Sequence, residues 1–169
     1  ITGLYHVLET ARKANVKRLV LASSGQVNWF HQQTGPWPID EHTPVSPRSW
    51  YAATKMFLES IGYSYSVTHG MSVIVGRLGW CPRDEGQVNE ISAEEHFQDV
   101  YLSPGDAGRF FACAVEASDD ISHATLFPTS NPIHTMRYDL APAKKLIGYE
   151  PREQWPEGTE IVVGRRWEN

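Results

Sequence analysis

Apolar residues at Ile1, Leu4, Tyr5, Leu8 and Ala11 recur every three or four positions. That period predicts a helix over residues 2–14, with Asn15 suited to its C-terminal end. Residues 16–22 break the period. They form a short run, apolar on both faces, as a central strand of a parallel sheet requires. Residues 25–48 contain Pro36, Pro38, Pro44 and Pro47. They predict a long loop, either functional and lid-like or a tolerated insertion. Ser49 can cap a helix over residues 50–69 that Gly70 closes. Its apolar residues fall on more than one side, which predicts burial between the sheet and a partner subunit.

Residues 71–78 predict the next strand, and residues 80–95 are polar and irregular, with weak helix potential around 93–100. Ser103-Pro104-Gly105-Asp106 joins a cap, a first-turn proline and an acid three residues on. The helix it opens has Phe110, Phe111, Ala114 and Val115 on its apolar face. Residues 124–127 predict a third strand. Residues 137–147 predict a last helix, stopped by Gly148 and Pro151. From Trp155 onward the chain reads as a loose tail or a short strand at 160–163. Strands alternating with helices predict an α/β fold with a parallel sheet.

Composition narrows the classes. The 169 residues, 41% hydrophobic and 21% charged, suffice for one globular domain with a core. A net charge of -5 offers no basic patch for nucleic acid. No apolar run approaches the ~20 residues of a membrane span, and no charged leader opens the chain. Two cysteines, Cys81 and Cys113, make no disulfide framework and fit a reducing cytoplasm. The seven histidines include no pair at ligand spacing on a common helix face, so no metal site is expected.

The chemistry centres on Tyr51-Ala-Ala-Thr-Lys55. Residues four apart share a helix face, so an ammonium stands beside a phenol. A free phenol titrates near ~10, and a neighbouring positive charge favours its ionised form. Such a pair can exchange a proton with a substrate hydroxyl near neutral pH. Upstream, Arg18-Leu19-Val20-Leu21-Ala22-Ser23-Ser24 is an apolar strand ending in two hydroxyls. Ser24 falls at the carboxyl edge of the sheet, where doubly wound folds bind ligands. Its hydroxyl can hold a substrate oxygen, or it can cap the following turn. Ser23 reads as a buried hydrogen-bonding neighbour. Arg77, near the end of an apolar strand, needs a partner, because an unpaired buried charge is costly. That partner is a substrate carboxylate or an internal acid. Trp29, Phe30 and Trp37 can stack on a sugar and cover the site, or plug it. Nothing marks Cys81 as a nucleophile.

The order Ser23-Ser24, loop, Ser46-Pro47, Tyr51-x-x-x-Lys55 resembles the extended short-chain dehydrogenase/reductase family, which includes the NAD-dependent epimerases and dehydratases. Residues 2–18 resemble the segment before that family's catalytic serine. Within it, Ala22-Ser23-Ser24, Gly76-Arg77-Leu78-Gly79, Leu102-Ser103-Pro104-Gly105-Asp106 and Leu146-Ile147-Gly148-Tyr149-Glu150-Pro151 resemble uronate dehydrogenases. The resemblance implies a Rossmann-type doubly wound sheet and an NAD or NADP cofactor. It implies Ser24, Tyr51 and Lys55 as a catalytic triad, with Lys55 also holding the nicotinamide ribose. It further implies Gly79, Trp80, Cys81 and Pro82 facing the nicotinamide, Arg77 gripping a sugar acid, and a homodimer through helices 2–14 and 50–69. One departure stands out. Uronate dehydrogenases carry Asn-His after the paired serines, both holding substrate, where this chain has Gly25 and Gln26. Gln26 can still exchange hydrogen bonds with substrate; Gly25 has no side chain to do so.

The family's glycine fingerprint is missing. Gly76-x-x-Gly79 and Gly105-x-x-Gly108 are near matches, but neither sits in the strand, turn and helix order that a pyrophosphate needs. The chain also opens in mid-pattern without an initiator methionine. The expectation is that residues 1–169 are the C-terminal catalytic and substrate-binding part of a Rossmann-type domain. The dinucleotide-binding half would then be absent and the fragment alone inactive. The reading that follows is an NAD(P)-dependent oxidoreductase acting on a sugar or sugar acid. The alternatives are a sugar-nucleotide epimerase or dehydratase, and a non-catalytic family member.

Overall fold

The structure, a computed structural model, describes residues 1–163. Three parallel strands make one sheet in the order β1 (Arg18–Ser24), β2 (Ser72–Leu78), β3 (His123–Leu126). The register runs from Arg18 opposite Ser72 to Ser24 opposite Leu78, and from Val73 opposite His123 to Gly76 opposite Leu126. The fold is thus α/β, as the alternating pattern predicts. The strand expected at 16–22 lies two residues further on. Among the described residues it is paired on one side only, and β2 holds the central place.

Helices cover both faces. Side chains alternate across a strand, so β2 can feed two cores at once. Val73 and Val75 pack with Leu21, with Leu8 of α1 (Thr2–Lys13) and with Tyr65 of α3 (Trp50–His69). Ile74 packs on the other face with Phe110 and Ala114 of α6 (Pro104–Glu116) and with Ala143 and Ile147 of α7 (Ala141–Ile147). Val73, Ile74 and Val75 are fully buried, and burial of each stabilises the fold by about 1.5–3 kcal/mol.

The caps fall where the residue types place them. The Ser49 hydroxyl accepts from the Ala52 amide at 3.1 Å, and Gly70 closes α3 in the left-handed region. Trp50, Phe57, Tyr63 and Val67 of α3 and Tyr5 and Val7 of α1 stay exposed.

Four stretches differ from expectation. Residues 25–48 are partly helical, with a 3₁₀ turn, Gly25–Asn28, and a short helix α2 (Trp29–Thr34). Residues 80–95 contain α4 (Glu85–Ala93), capped by Asp84, whose carboxylate accepts from the Gln87 amide at 2.9 Å; α5 (Glu95–Gln98) follows. The helix expected over 137–147 begins only at Ala141. Pro142 lacks the amide that would bond back to residue 138, and residues 137–139 instead pair with Ile39. Residues 160–163, expected as tail or strand, belong to a helix, α8 (Thr159–Val163). The tail beyond residue 163 lies outside the described residues. No helix among those described is long and apolar enough to cross a membrane.

Ser103 caps α6, its hydroxyl accepting from the Asp106 amide at 2.9 Å, and the acid of the start signal serves elsewhere. Asp106 is fully buried and accepts from Ser130 Oγ at 2.7 Å, Arg109 Nε at 2.9 Å and the amides of Arg152 and Glu153 at 2.9 and 3.1 Å. Burial alone pushes its carboxyl up. The donors from Arg152, Ser130, Arg109 and Glu153 outweigh that and hold it below the usual carboxylate range. A lowered native pKa means that the unfolded chain takes the proton more readily. The stability from Asp106 is therefore present above the ordinary carboxylate range and lost as pH falls through the native pKa. Asp106→Asn should cost about 1–3 kcal/mol at neutral pH and flatten the acid limb of the stability profile. Urea unfolding of both proteins from neutral to acid pH checks this; parallel profiles count against it.

Candidate active site

An open cleft of about 690 Å³ lies at the carboxyl ends of β1 and β2. Small-molecule sites usually fall in this size range, and doubly wound folds place them at this edge. Ser24, Gly25 and Gln26 line it from the end of β1, Tyr51 from the first turn of α3, and Gly79, Trp80 and Cys81 from the segment after β2. Trp29, Phe97 and Tyr138 add aromatic surface.

Ser24 combines its two expected behaviours. Its Oγ accepts from the Gln26 amide at 3.2 Å, capping the 3₁₀ turn, and it also lines the cleft. The hydroxyl proton remains available to donate. Tyr51 is about half exposed. Lys55 does not line the cleft. Its Nζ donates to the Ala22 carbonyl at 2.7 Å and stands 5.5 Å from the Tyr51 ring centre. That bond fixes the ammonium between the end of β1 and α3 and leaves two of its three N–H groups.

Arg77 departs from the carboxylate-clamp expectation. Its Nε and Nη2 donate to the two carboxylate oxygens of Glu59 at 3.0 and 2.8 Å, and its Nη1 donates to Asn28 Oδ1 at 2.8 Å. The Arg77 and Glu59 side chains are only 6% and 12% exposed. Ser23 Oγ also donates to Glu59. The guanidinium meets an internal acid and lies outside the cleft lining, so this arrangement corrects its assignment as a substrate ligand. Pro82 is also corrected: it is buried and outside the lining. The glycine at 79 has a packing cause, since a Cβ there would lie 2.4 Å from the Val100 carbonyl oxygen.

The aromatic residues of the 25–48 segment separate. Trp29 lines the cleft, under the Arg48 guanidinium, with Phe97 at 6.4 Å between ring centres. Trp80 meets Phe97 edge-on at 4.7 Å and completes an aromatic wall. Phe30 is exposed, and Trp37 donates to the His31 and Gln32 carbonyls beneath Arg137. Sequence reading missed Phe97, Gln87, Arg83, Glu90 and Tyr138 in the lining. The Asp84-x-x-Gln87 cap was a legible signal for α4, which carries Gln87 and Glu90.

Residues 1–80 match the NAD dependent epimerase/dehydratase family. Similarity of this chain to curated proteins extends further. It is 30% identical to the L-arabinose 1-dehydrogenase (NAD(P)(+)) of Haloferax volcanii over 90% of this chain and 65% of that protein. It is 29% identical to a uronate dehydrogenase of Pseudomonas syringae pv. tomato over 90% of this chain and 51% of the relative. A solved structure of a mutated uronate dehydrogenase superposes with a TM-score of 0.70 at 25% identity, covering 97% of this chain and 56% of that one. The chain thus spans between about half and two thirds of the length of these relatives. Ser24, Tyr51 and Lys55 all lie within the matched residues.

Proposed function

We propose that this chain is the catalytic and substrate-binding part of an NAD(P)-dependent oxidoreductase that oxidises a carbinol of a sugar or sugar acid. One observation carries the reading: Ser24 and Tyr51 line a single cleft at the carboxyl ends of parallel strands, with the Lys55 ammonium 5.5 Å from the Tyr51 ring. Oxidation of a carbinol removes a hydride from carbon and a proton from oxygen. NAD(P), when bound, accepts the hydride. Tyr51 takes the proton, and the Lys55 charge stabilises the negative charge on the phenol oxygen during the exchange. Ser24 donates to the substrate oxygen and orients it. Trp29, Phe97 and Trp80 offer apolar surface against which a sugar ring can lie.

The residues suit the nicotinamide end of such a cofactor, since Tyr51 and the Gly79-Trp80-Cys81 segment line the same cleft. They do not fit its pyrophosphate, because the sequence contains no G-x-G-x-x-G stretch. With Arg77 committed to Glu59, the substrate class includes neutral sugars as well as uronates. The test is a panel of L-arabinose, D-galactose, D-glucose, D-glucuronate and D-galacturonate with NAD and with NADP. It uses the full protein that carries this chain and follows reduced nicotinamide by absorbance. One sugar or uronate should be oxidised well above the others. Conversion of nucleotide sugars with no net reduction points to an epimerase, and no reaction with any member overturns the reading.

A further inference from the structure

The short helix α2 inverts the usual rule of burial. Phe30 is 54% exposed, while Gln32, 4% exposed, is the one buried residue of the helix. A helix normally turns its apolar side chains inward, so a buried glutamine needs a reason. Hydrogen bonds within the fold do not supply one. The main-chain carbonyl of Gln32 accepts from Arg137 Nη1 at 2.7 Å and from Trp37 Nε1 at 3.2 Å. Its side-chain carboxamide has no hydrogen-bond partner among the described residues. Two N–H donors and an acceptor oxygen are left unused.

These atoms are within reach of a ligand. Neither the oxygen nor the nitrogen of the Gln32 carboxamide is sealed off, whereas Nε2 of the next residue, Gln33, is enclosed without a partner. Gln32 lines the cleft, three residues after Trp29 and so on the same face of α2. Its main chain is fixed by Arg137 and Trp37. The part of the residue left accessible is the end of its side chain, and the space it meets is the cleft. Trp29 and Gln32 thus present an aromatic ring and a carboxamide together.

Resting on the oxidoreductase reading above, we infer that Gln32 is a specificity-determining residue whose carboxamide exchanges hydrogen bonds with neighbouring hydroxyls of the sugar. Its oxygen accepts from one hydroxyl and its Nε2 donates to the next. Adjacent ring hydroxyls offer a donor and an acceptor side by side, as a carboxamide does. The Trp29 ring gives apolar surface to the C–H face of the same sugar. The carboxamide carries no charge, so it reads the pattern of hydroxyls and not the acidity of the sugar. It binds and orients; Tyr51 moves the proton. A sugar lacking the matching hydroxyl leaves a buried donor or acceptor unpaired and is rejected for that reason.

The experiment compares the full protein with its Gln32→Met variant on L-arabinose, D-galactose and D-glucose and on their 2-deoxy and 3-deoxy forms. Methionine keeps the length and volume of the side chain and removes its hydrogen bonding. Binding is read by tryptophan fluorescence, since Trp29 and Trp80 line the cleft. Turnover is read separately. The variant should weaken binding of the preferred sugar ~10-fold, with the loss falling on KM rather than on kcat. It should also narrow the gap between that sugar and the deoxy form that the wild type rejects. Its melting temperature should hold or rise, because the fold gives the carboxamide no bond to lose. A variant that fails to fold, or melts lower with discrimination unchanged, makes Gln32 structural and overturns the inference. Gln32-dependent binding without hydride transfer supports the inference and overturns the oxidoreductase reading. Binding and turnover that ignore Gln32→Met do the reverse. A wild type that binds none of these sugars overturns both.

Discussion

Tyr51→Phe should lower turnover by ~10²-fold or more at neutral pH, while sugar binding changes little. The substitution removes one oxygen and keeps the ring. Tyr51 is about half exposed and lies in the first turn of α3, so little packing is lost. What is lost is the only proton carrier that the proposed mechanism contains. The neighbouring groups cannot replace it. The Ser24 hydroxyl is too weak an acid and base, and the Lys55 ammonium is held on the Ala22 carbonyl at 2.7 Å. Steady-state rates and sugar binding, measured with the full protein, decide the matter. Near-normal turnover by Tyr51→Phe removes Tyr51 from the reaction. A large rise in KM with unchanged kcat makes it a binding residue instead.

Much of this site was legible because its signals are local. The helix carrying Tyr51 was readable from the Ser49 cap to the Gly70 stop, and both perform as their residue types require. Ser24 was placed by an apolar run ending in hydroxyls. What the sequence hid depends on tertiary partners. α4 has one fully buried residue, Ile91, so its apolar period was faint and only the Asp84 cap betrayed it. Ile161-Val162-Val163 has the β-branched composition of a strand, yet it is helical with Val162 alone buried; tertiary placement overrides propensity here. Tyr138 reaches the cleft only because residues 137–139 pair with Ile39, a contact across about a hundred positions that no local pattern announces.

Arg77 shows the same limit most sharply, and its partner carries the second large effect. A buried arginine in a strand demands an acid, but the sequence does not say which one. Glu59 lies four residues after Lys55 and eight after Tyr51, on the same face of α3. Its carboxylate takes Arg77 in bidentate fashion and accepts from Ser23, while Asn28 takes the third guanidinium bond. This network joins the end of β1, the 3₁₀ turn, α3 and β2 directly behind the cleft. Removing one partner of a buried ion pair strands the other charge. Glu59→Ala should therefore destabilise the fold by about 3–5 kcal/mol. Glu59→Gln keeps the shape and one acceptor and should cost less, about 1–3 kcal/mol. Glu59→Leu combined with Arg77→Met removes both charges and should recover part of the loss, since an apolar pair of similar size pays no desolvation. A substrate clamp behaves otherwise: Arg77→Met would then leave unfolding unchanged and weaken only the acidic sugars. Urea unfolding of the wild type and the four variants, beside KM values for D-glucuronate and D-glucose, separates the two. An unfolding midpoint for Glu59→Ala equal to that of the wild type, with selective loss of D-glucuronate in Arg77→Met, would return Arg77 to the substrate.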